Sequence, residues 1–376
     1  MVTRFRLPFW YDLHAHFRQD LLLPAMIAEH RRMACAGAVA MPNTKPPVAC
    51  VRMVDETVTA WSIERYQAMF CTAWPEAKAV IVPLYLTNAV TPAMIADGVR
   101  DGLLQACKYY PPHGTTNSEH GAAFKAYAAS GVFAAMEEHG VVLCVHGERH
   151  GLQGEAYFGR ASNAEEIFYQ EEMPWLIAHF PRLKIVCEHV TTKVAADFVR
   201  QSGPNVVATV TPQHLLYTVG HLLQGCKYHL FCLPVVKYDA DVQALRQAVT
   251  SRDNLKFFAG TDSAPHTVKA TACGCAGGCF TGGIAPQLYA EAFTQAGVDL
   301  GQREGQEAFQ RFLCSNGAAF YGLPEPKDTF SLSQEVQETT LVQTPAGPIT
   351  PLPVGMLMQP SETAMLSWRV TLAADV

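Results

Sequence analysis

The sequence predicts an α/β protein: a (β/α)8 TIM barrel over residues 1–323, with residues 324–376 as a C-terminal extension packed on it. Three observations carry this expectation. Eight short apolar runs recur along the chain, each followed by a polar cluster and, in most cases, a helix-compatible stretch. The runs are apolar nearly throughout rather than alternating, as strands buried on both faces of a parallel sheet must be. Side chains suited to metal or acid–base chemistry fall at the C-terminal ends of the runs, where a barrel gathers its functional groups. The same alternation fits a doubly wound open sheet, but no glycine-rich dinucleotide fingerprint follows any run.

The first run, Leu7-Pro8-Phe9-Trp10-Tyr11, leads into Asp12-Leu13-His14-Ala15-His16-Phe17-Arg18. On a strand, residues two apart share a face, so His14, His16 and Arg18 are expected to project together. On a helix they would not. The second run (37–41) ends in Pro42-Asn43-Thr44, the third (79–86) in Thr87-Asn88, and the fourth (103–107) in Lys108. The fifth (140–145) ends in His146-Gly147-Glu148, the sixth (183–187) in Glu188-His189, and the seventh (206–210) in Thr211-Pro212-Gln213-His214. The eighth (255–259) is closed by Gly260-Thr261-Asp262-Ser263-Ala264-Pro265-His266. Helices are expected over 24–33, 56–70, 91–98, 121–139, 164–179 and 240–250. Residues 220–234 form a long connection, and long barrel loops are usually functional. Residues 111–120, carrying Gly114, Thr115 and Thr116, are expected to form a lid. After Pro324 the composition shifts to Pro, Thr, Gln and Val, with a strand-like stretch over 364–370.

Composition agrees with one large core: charged residues are 16% and hydrophobic residues 49% of the 376. A net charge of −6, with no Lys/Arg block longer than a pair, leaves no footprint for nucleic acid or an anionic membrane. The first residues lack a secretory apolar segment, and no stretch approaches the ~18 apolar residues of a membrane span. A soluble, cytoplasmic protein is expected. The 12 cysteines then read as reduced thiols, with Cys35, Cys107, Cys144, Cys187 and Cys232 inside apolar runs.

Added together, the strand ends bring His14, His16, Lys108, His146, His189 and Asp262 to one mouth. Histidine nitrogens and carboxylate oxygens suit Zn²⁺, with Mn²⁺ or Co²⁺ as substitutes, and two ions need a bridging ligand. An ammonium cannot bridge. Burial lowers a lysine pKa, and a neutral amine can add carbon dioxide to give a carbamate with two ligating oxygens. Lys108 also reads as a substrate cation or a Schiff-base amine. Cys273, Cys275 and Cys279 form C-x-C-x₃-C without a fourth ligand or paired spacing, so the glycines around them read as close backbone approach rather than structural zinc.

The ordered motifs identify a resemblance. They are Asp12-Leu13-His14-Ala15-His16-Phe17-Arg18, Met41-Pro42-Asn43, Cys107-Lys108 with Thr115-Thr116-Asn117, Val145-His146-Gly147-Glu148, Glu188-His189-Val190, Thr211-Pro212-Gln213-His214, Cys232-Leu233-Pro234, Gly260-Thr261-Asp262-Ser263-Ala264-Pro265-His266 and Cys273-Gly274-Cys275-Ala276-Gly277. The chain resembles the dihydroorotases of the amidohydrolase superfamily, specifically the short, homodimeric bacterial type. The resemblance implies two Zn²⁺ per subunit, bridged by N6-carboxylysine at Lys108 and a hydroxide. His14, His16 and Asp262 would hold the first ion, and His146 and His189 the second. It implies that Arg18, Asn43 and His266 bind the substrate carboxylate, with backbone contacts near Leu233 and Ala276. Thr115 and Thr116 would reach the substrate from the lid, and Asp262 would shuttle the proton. The implied reaction is the reversible interconversion of L-dihydroorotate and N-carbamoyl-L-aspartate in de novo pyrimidine (UMP) synthesis.

Three departures affect loop shape and no expected ligand: Tyr109-Tyr110 after Lys108, Pro112-His113-Gly114 before the threonine pair, and the extra glycine in Cys275-Ala276-Gly277-Gly278-Cys279. Two rivals stand beside this reading. Hydantoinases and dihydropyrimidinases open similar rings, but they carry a longer segment before H-x-H, and their substrates do not require the carboxylate partner Arg18. A non-enzymatic scaffold would be expected to have lost ligands, whereas all six are present.

Overall fold

The computed structural model describes residues 3–272, 274–357 and 363–372. An outer strand β1 (Arg4–Pro8) precedes the barrel strands β2 (Trp10–Ala15), β3 (Cys35–Ala40), β4 (Ala79–Ile81), β5 (Leu84–Tyr85), β6 (Ala106–Tyr109), β7 (Val142–His146), β8 (Ile185–Glu188), β9 (Val206–Val210) and β10 (Phe257–Ala259). β2, β3 and β4 pair in parallel, and β5 to β10 pair in parallel in chain order. β4 and β5 come from one apolar run, interrupted at Val82-Pro83 because proline has no N–H for the ladder. They act together as the third of eight staves.

The barrel closes between its last and first strands. Asp262 N–H donates to His14 O at 2.8 Å, His16 N–H donates to Ser263 O at 3.0 Å, and Ala15 bridges Ser263 in parallel. Asp12 stitches the same seam. Its buried carboxylate accepts the Thr261 N–H at 2.9 Å, the Thr261 hydroxyl at 2.6 Å and His30 Nε2 at 3.1 Å.

Burial divides each strand with period two. Leu13, Val39, Ile81, Val142, Val186 and Val207 pack into one cluster inside the barrel. Their alternates, among them Leu143, Val145, Ile185, Cys187 and Ala208, pack outward into the layer beneath the helices. Each fully buried Val or Leu contributes about 1.5–3 kcal/mol, so the double burial explains why the runs read as continuously apolar. Gly317 lies under the inner cluster, where an added Cβ would sit 2.0 Å from Leu13 Cδ1.

The helices at Leu23–Arg32, Pro92–Arg100 and Asp239–Thr250 lie close to their expected bounds. The helix expected over 56–70 does not. Trp61–Ser62 instead pairs with Val48–Cys50, and the helix runs Ile63–Ala73. Glu56 accepts from the Ser62 N–H at 3.0 Å and its hydroxyl at 2.6 Å, holding Ser62 as the N-cap. The stretch 121–139 splits into Ala126–Ala129 and Val132–His139 because Gly131 adopts a left-handed φ of 79°. The stretch 164–179 is helical throughout, with a π-helical segment at Phe168–Glu172 between Ala164–Ile167 and Met173–His179. The long connection 220–234 contains short helical turns at Val219–Leu223 and Tyr228–Leu230.

In the tail, β11 (Thr329–Ser333) lies between β1 and β12 (Arg369–Leu372) in an antiparallel sheet, so strands from both ends of the chain share one sheet. The expected strand over 364–370 is two strands, Thr363–Leu366 and β12, with Trp368 buried between them. Cys35, Cys107, Cys144 and Cys187 are buried thiols on barrel strands, and Cys232 is buried in a loop. Cys273 lies outside the described residues. Among the described residues, no helix is long and apolar enough to cross a membrane.

Candidate metal centre

The strand ends deliver the expected side chains to one mouth. His14 lies on β2 and His16 just beyond it, Lys108 on β6, His146 at the end of β7, His189 just after β8, and Asp262 in the turn after β10. His189 and Asp262 take left-handed backbone, with φ of 40° and 48°. Such a conformation costs a non-glycine residue about 1–2 kcal/mol and persists only where the surroundings impose it. Two expected placements change. Lys108 sits within its strand, because Leu103 and Leu104 turn away to cap the preceding helix through bonds to Gly98 O. Arg18 lies beyond the end of β2 with a φ of 59°, its carbonyl accepting the Tyr66 hydroxyl at 2.5 Å, so it does not share a strand face with the histidines. It still lines the cavity above them.

Ligating atoms of His14, His16 and Asp262 all lie within 4.8 Å of one another. Asp262 Oδ1 is 2.9 Å from His16 Nε2 and 3.5 Å from His14 Nε2. The opposite nitrogens are held from behind: His14 Nδ1 is 2.7 Å from Glu188 Oε2, and His16 Nδ1 is 2.8 Å from Asn43 Oδ1. The His189 ring lies 4.9 Å from that of His14 and 4.7 Å from that of His146, between centroids. His146 Nε2 is 2.8 Å from Glu148 Oε2, so Nδ1 is its free nitrogen. This pattern, with one histidine nitrogen oriented from behind by a carboxylate or amide and, in His14 and His16, the other turned toward the Asp262 carboxylate, is that of metal ligands.

Electrostatics point the same way. Burial raises the Asp262 carboxyl, but the His16 contact and the charges of His14, His16 and Lys108 outweigh it and hold the pKa down at about 2. Burial pushes His16 down to about 4 against the pull of Asp262, and pushes His146 and His189 down as well. Neutral imidazoles beside an ionised carboxylate are the forms that ligate a cation. Lys108 is wholly buried, its Nζ lies 5.0 Å from the centre of the Tyr110 ring but has no hydrogen-bond partner among the described residues, and burial lowers its pKa despite nearby Glu188 and Asp262. An ammonium so placed would leave three donors unsatisfied at a cost of several kcal/mol. His189 Nδ1 is likewise buried without a partner. Both orphans, and the donor set around them, fit a centre that holds metal with a modified lysine.

Above the cluster, Arg18, Asn43, Thr115, Thr116 and Leu233 line a small cavity with Gly277 and Gly278. His266 Nε2 lies 3.0 Å from Gly277 O, beside them. Asn43 Nδ2 donates to Thr116 O at 2.9 Å, and the Thr116 hydroxyl donates to Gly277 O at 3.3 Å. The loop over 111–120 is therefore folded down onto the site, and the Thr116 hydroxyl already has a protein partner. Ala276 bonds with both backbone groups to Lys269. Glu188, Glu148 and Lys269 were given no role by sequence reasoning. The first two carry a signal, a carboxylate one or two positions from a strand-end histidine; Lys269 carries none.

No family model matches the chain. A curated dihydroorotase from Aromatoleum aromaticum is 40% identical over 335 residues, which cover 87% of this chain and 89% of that one. One from Pseudomonas syringae pv. tomato is 37% identical over 368 residues, covering 96% of each. The chain belongs to the dihydroorotase family. The family is one of cyclic amidohydrolases that depend on metal and act on small molecules, in keeping with the His-His-Asp cluster. Among solved structures, the dihydroorotase of Saccharomyces cerevisiae in complex with 5-fluoroorotic acid superposes with a TM-score of 0.83 at 26% identity, covering 99% of each chain. An L-hydantoinase from Arthrobacter aurescens shares the fold at a TM-score of 0.73 and 14% identity, over 98% of this chain and 84% of its own. The barrel expected from the sequence is the fold of these dihydroorotase-family and hydantoinase neighbours.

Proposed function

We propose that the chain reversibly interconverts L-dihydroorotate and N-carbamoyl-L-aspartate, a ring-closing step of de novo pyrimidine synthesis, at a centre of two Zn²⁺ ions. The observation that carries this reading is the junction of a buried metal-donor cluster with the guanidinium of Arg18, which lines the cavity above it beside the neutral imidazole of His266. His14, His16 and Asp262 would hold one ion, His146 and His189 the other, with Lys108 bridging them as N6-carboxylysine. Bound there, the ions would polarise the ring amide carbonyl and supply hydroxide at neutral pH.

The chain's own residues do the rest. Asp262, kept ionised at neutral pH, would accept the proton of the hydroxide whose oxygen adds to the ring carbonyl carbon, and deliver it to the ring nitrogen as the C–N bond breaks. The Arg18 guanidinium grips the substrate carboxylate with two parallel N–H donors, assisted by His266 and by Asn43, whose amide borders the cavity. Backbone near Leu233 and Ala276 would face the ring through Leu233 and Gly277, which line the cavity, since both backbone groups of Ala276 itself are bonded to Lys269. Thr115 and Thr116 cover it and exclude water, so that the charges beneath act in a medium of low dielectric. Residues 324–376 belong with the barrel as one domain, their strand β11 being paired to β1. A homodimer in the cytoplasm completes the proposal, and sedimentation tests its first half.

The deciding assay follows ring absorbance on metal-replete protein with dihydroorotate and dihydrouracil side by side. Dihydroorotate should open at least about 100-fold faster, since a site built around a charged group strongly rejects an analogue lacking it. Equal rates would remove the carboxylate clamp, and no turnover of either ring would remove the reading.

A further inference from the structure

Lys269 is buried, at 7% exposure, and its ammonium donates to three carbonyls: Phe231 O at 2.7 Å, Ala276 O at 2.6 Å, and Gly278 O. An ammonium has three N–H donors and no acceptor, so this set satisfies it completely. The backbone of Lys269 joins in. Its carbonyl accepts the Ala276 N–H at 2.8 Å, closing the base of the hairpin in which Ala270–Thr271 pairs with Gly274–Cys275. Phe231 O also accepts the Gly278 N–H at 3.0 Å. Two loops are thus fastened to each other by one side chain, which adds three bonds to the single backbone bond between Gly278 and Phe231.

Those loops form the cavity wall. Leu233, Gly277 and Gly278 line it together with Arg18 and Asp262. Gly277 O takes the contacts from His266 and Thr116. Gly278 takes a φ of 129°, and a Cβ there would stand 2.6 Å from Ala264 Cβ and 3.1 Å from His266 Nε2, so the wall has no slack. Burial lowers the Lys269 pKa, and its positive charge helps to hold His266 down. A buried cation is costly unless every donor is used, which makes the three carbonyl positions mutually dependent.

We infer that Lys269 is a positioning residue for substrate: it bolts the loop at 231–234 to the loop at 276–278 and so fixes the backbone that faces the ring, without touching the ring itself. This rests on the reading of the cavity as the dihydroorotate site. Replacing Lys269 takes a donor from three carbonyls, the one at Gly278 buried, and leaves only the Gly278 N–H bond to Phe231 O across the wall, so the wall loosens while the metal donors beneath stay in place.

The test is steady-state kinetics on metal-replete Lys269→Met and Lys269→Arg beside the wild-type protein, with metal content measured on each. Wild-type turnover of dihydroorotate in the same assay establishes the underlying reading, so a failure in the variants is a failure of this inference alone. Lys269→Met should raise KM by about tenfold or more with kcat within about threefold and metal content unchanged, the pattern of lost substrate positioning. Lys269→Arg keeps the charge, but a planar fork cannot direct donors at three converging carbonyls, so its KM should rise as well. A Lys269→Met protein that melts earlier but binds substrate normally would overturn the inference, because a merely structural role predicts that. Should Lys269→Met fail to fold, Lys269→Arg decides: a normal KM overturns the inference and a raised one supports it.

Discussion

Nδ1 of His14 lies 2.7 Å from Oε2 of Glu188, and the same carboxylate oxygen accepts the Thr209 hydroxyl proton at 2.6 Å. Thr209 in turn accepts the His189 N–H at 2.7 Å. Glu188 therefore sets the His14 tautomer, leaving Nε2 to face Asp262, and ties that ring to the backbone of His189. Glu188→Gln keeps the volume and removes the charge. It should weaken metal binding by about 10–100-fold, as loss of a partner behind a metal ligand does. Competition against a chelator of known affinity measures this, and an unchanged affinity would dismiss the role.

Asp262 is assigned two tasks, holding metal and carrying a proton. Asp262→Asn retains an oxygen donor and loses the base, so kcat should fall by about 10²–10⁴ while KM changes far less. Metal analysis on the same preparation separates the tasks. Near-normal turnover with full metal would eliminate the proton shuttle.

Arg18→Lys preserves a cation but not the fork. We expect kcat/KM for dihydroorotate to drop by at least about tenfold, with no matching loss for a ring lacking the carboxylate. Parallel losses on both rings would mean that Arg18 supports the fold of the site rather than recognition.

The loop over 111–120 is fastened by few bonds. Ser118 bridges it internally, accepting the Thr115 N–H at 2.9 Å and donating to Thr115 O at 2.7 Å, while Thr116 reaches Asn43 and Gly277. Substrate should protect this loop from protease nicking. The double change Thr115→Ala with Thr116→Val should lower turnover with metal content unchanged. Equal nicking with and without dihydroorotate, and an unimpaired double variant, would show that the loop is no lid.

Buried histidines also make stability depend on pH. In the chelator-treated protein, burial depresses His16 to about 4 and His266 to about 3, with His146 and His189 lowered too. Below an unfolded pKa of about 6.5 the unfolded chain binds protons that the folded chain refuses, so stability should fall as pH drops from about 6.5 toward 4. Asp262 extends the loss, its folded pKa of about 2 lying under the ordinary 3.8. Glu165, raised by burial to about 7 despite Lys237, works the other way, as do Glu29 and Glu166, which burial also raises, but the depressed histidines His16, His146, His189, His229 and His266 outnumber them. Urea midpoints from about pH 7.5 down to about 4.5 should therefore decline, and His266→Asn should flatten the slope. A flat profile would contradict these environments.

The barrel was legible because its strands are buried on both faces. The run 206–210 coincides with β9 for that reason. What failed to read was whatever depends on a partner distant in sequence. Leu103 and Leu104 look like strand but cap a helix through Gly98. Glu56 looks like the first turn of a helix but clamps the N-cap Ser62. Arg18 shares the spacing of His14 and His16, yet the strand ends at Ala15 and the chain turns at Arg18. The meeting of the candidate donors was legible because each stands at or beside a strand end. Lys269 was not, because its acceptors come from a loop 38 positions earlier and a hairpin that the sequence does not announce.

The seam between Asp12 and Thr261 joins residues 249 positions apart. A chain made on the ribosome at about 5–20 residues per second therefore presents the outer edge of β2 unpaired for roughly 10–50 s before its neighbour exists. An open strand edge is a template for wrong pairing, so this interval is where the nascent protein is most exposed to aggregation and most dependent on chaperones. It also orders events in the cell. His14 and His16 emerge early and Asp262 late, so the cluster they form can be charged with metal only after the barrel has closed, and metal supply acts on the finished fold rather than on its making.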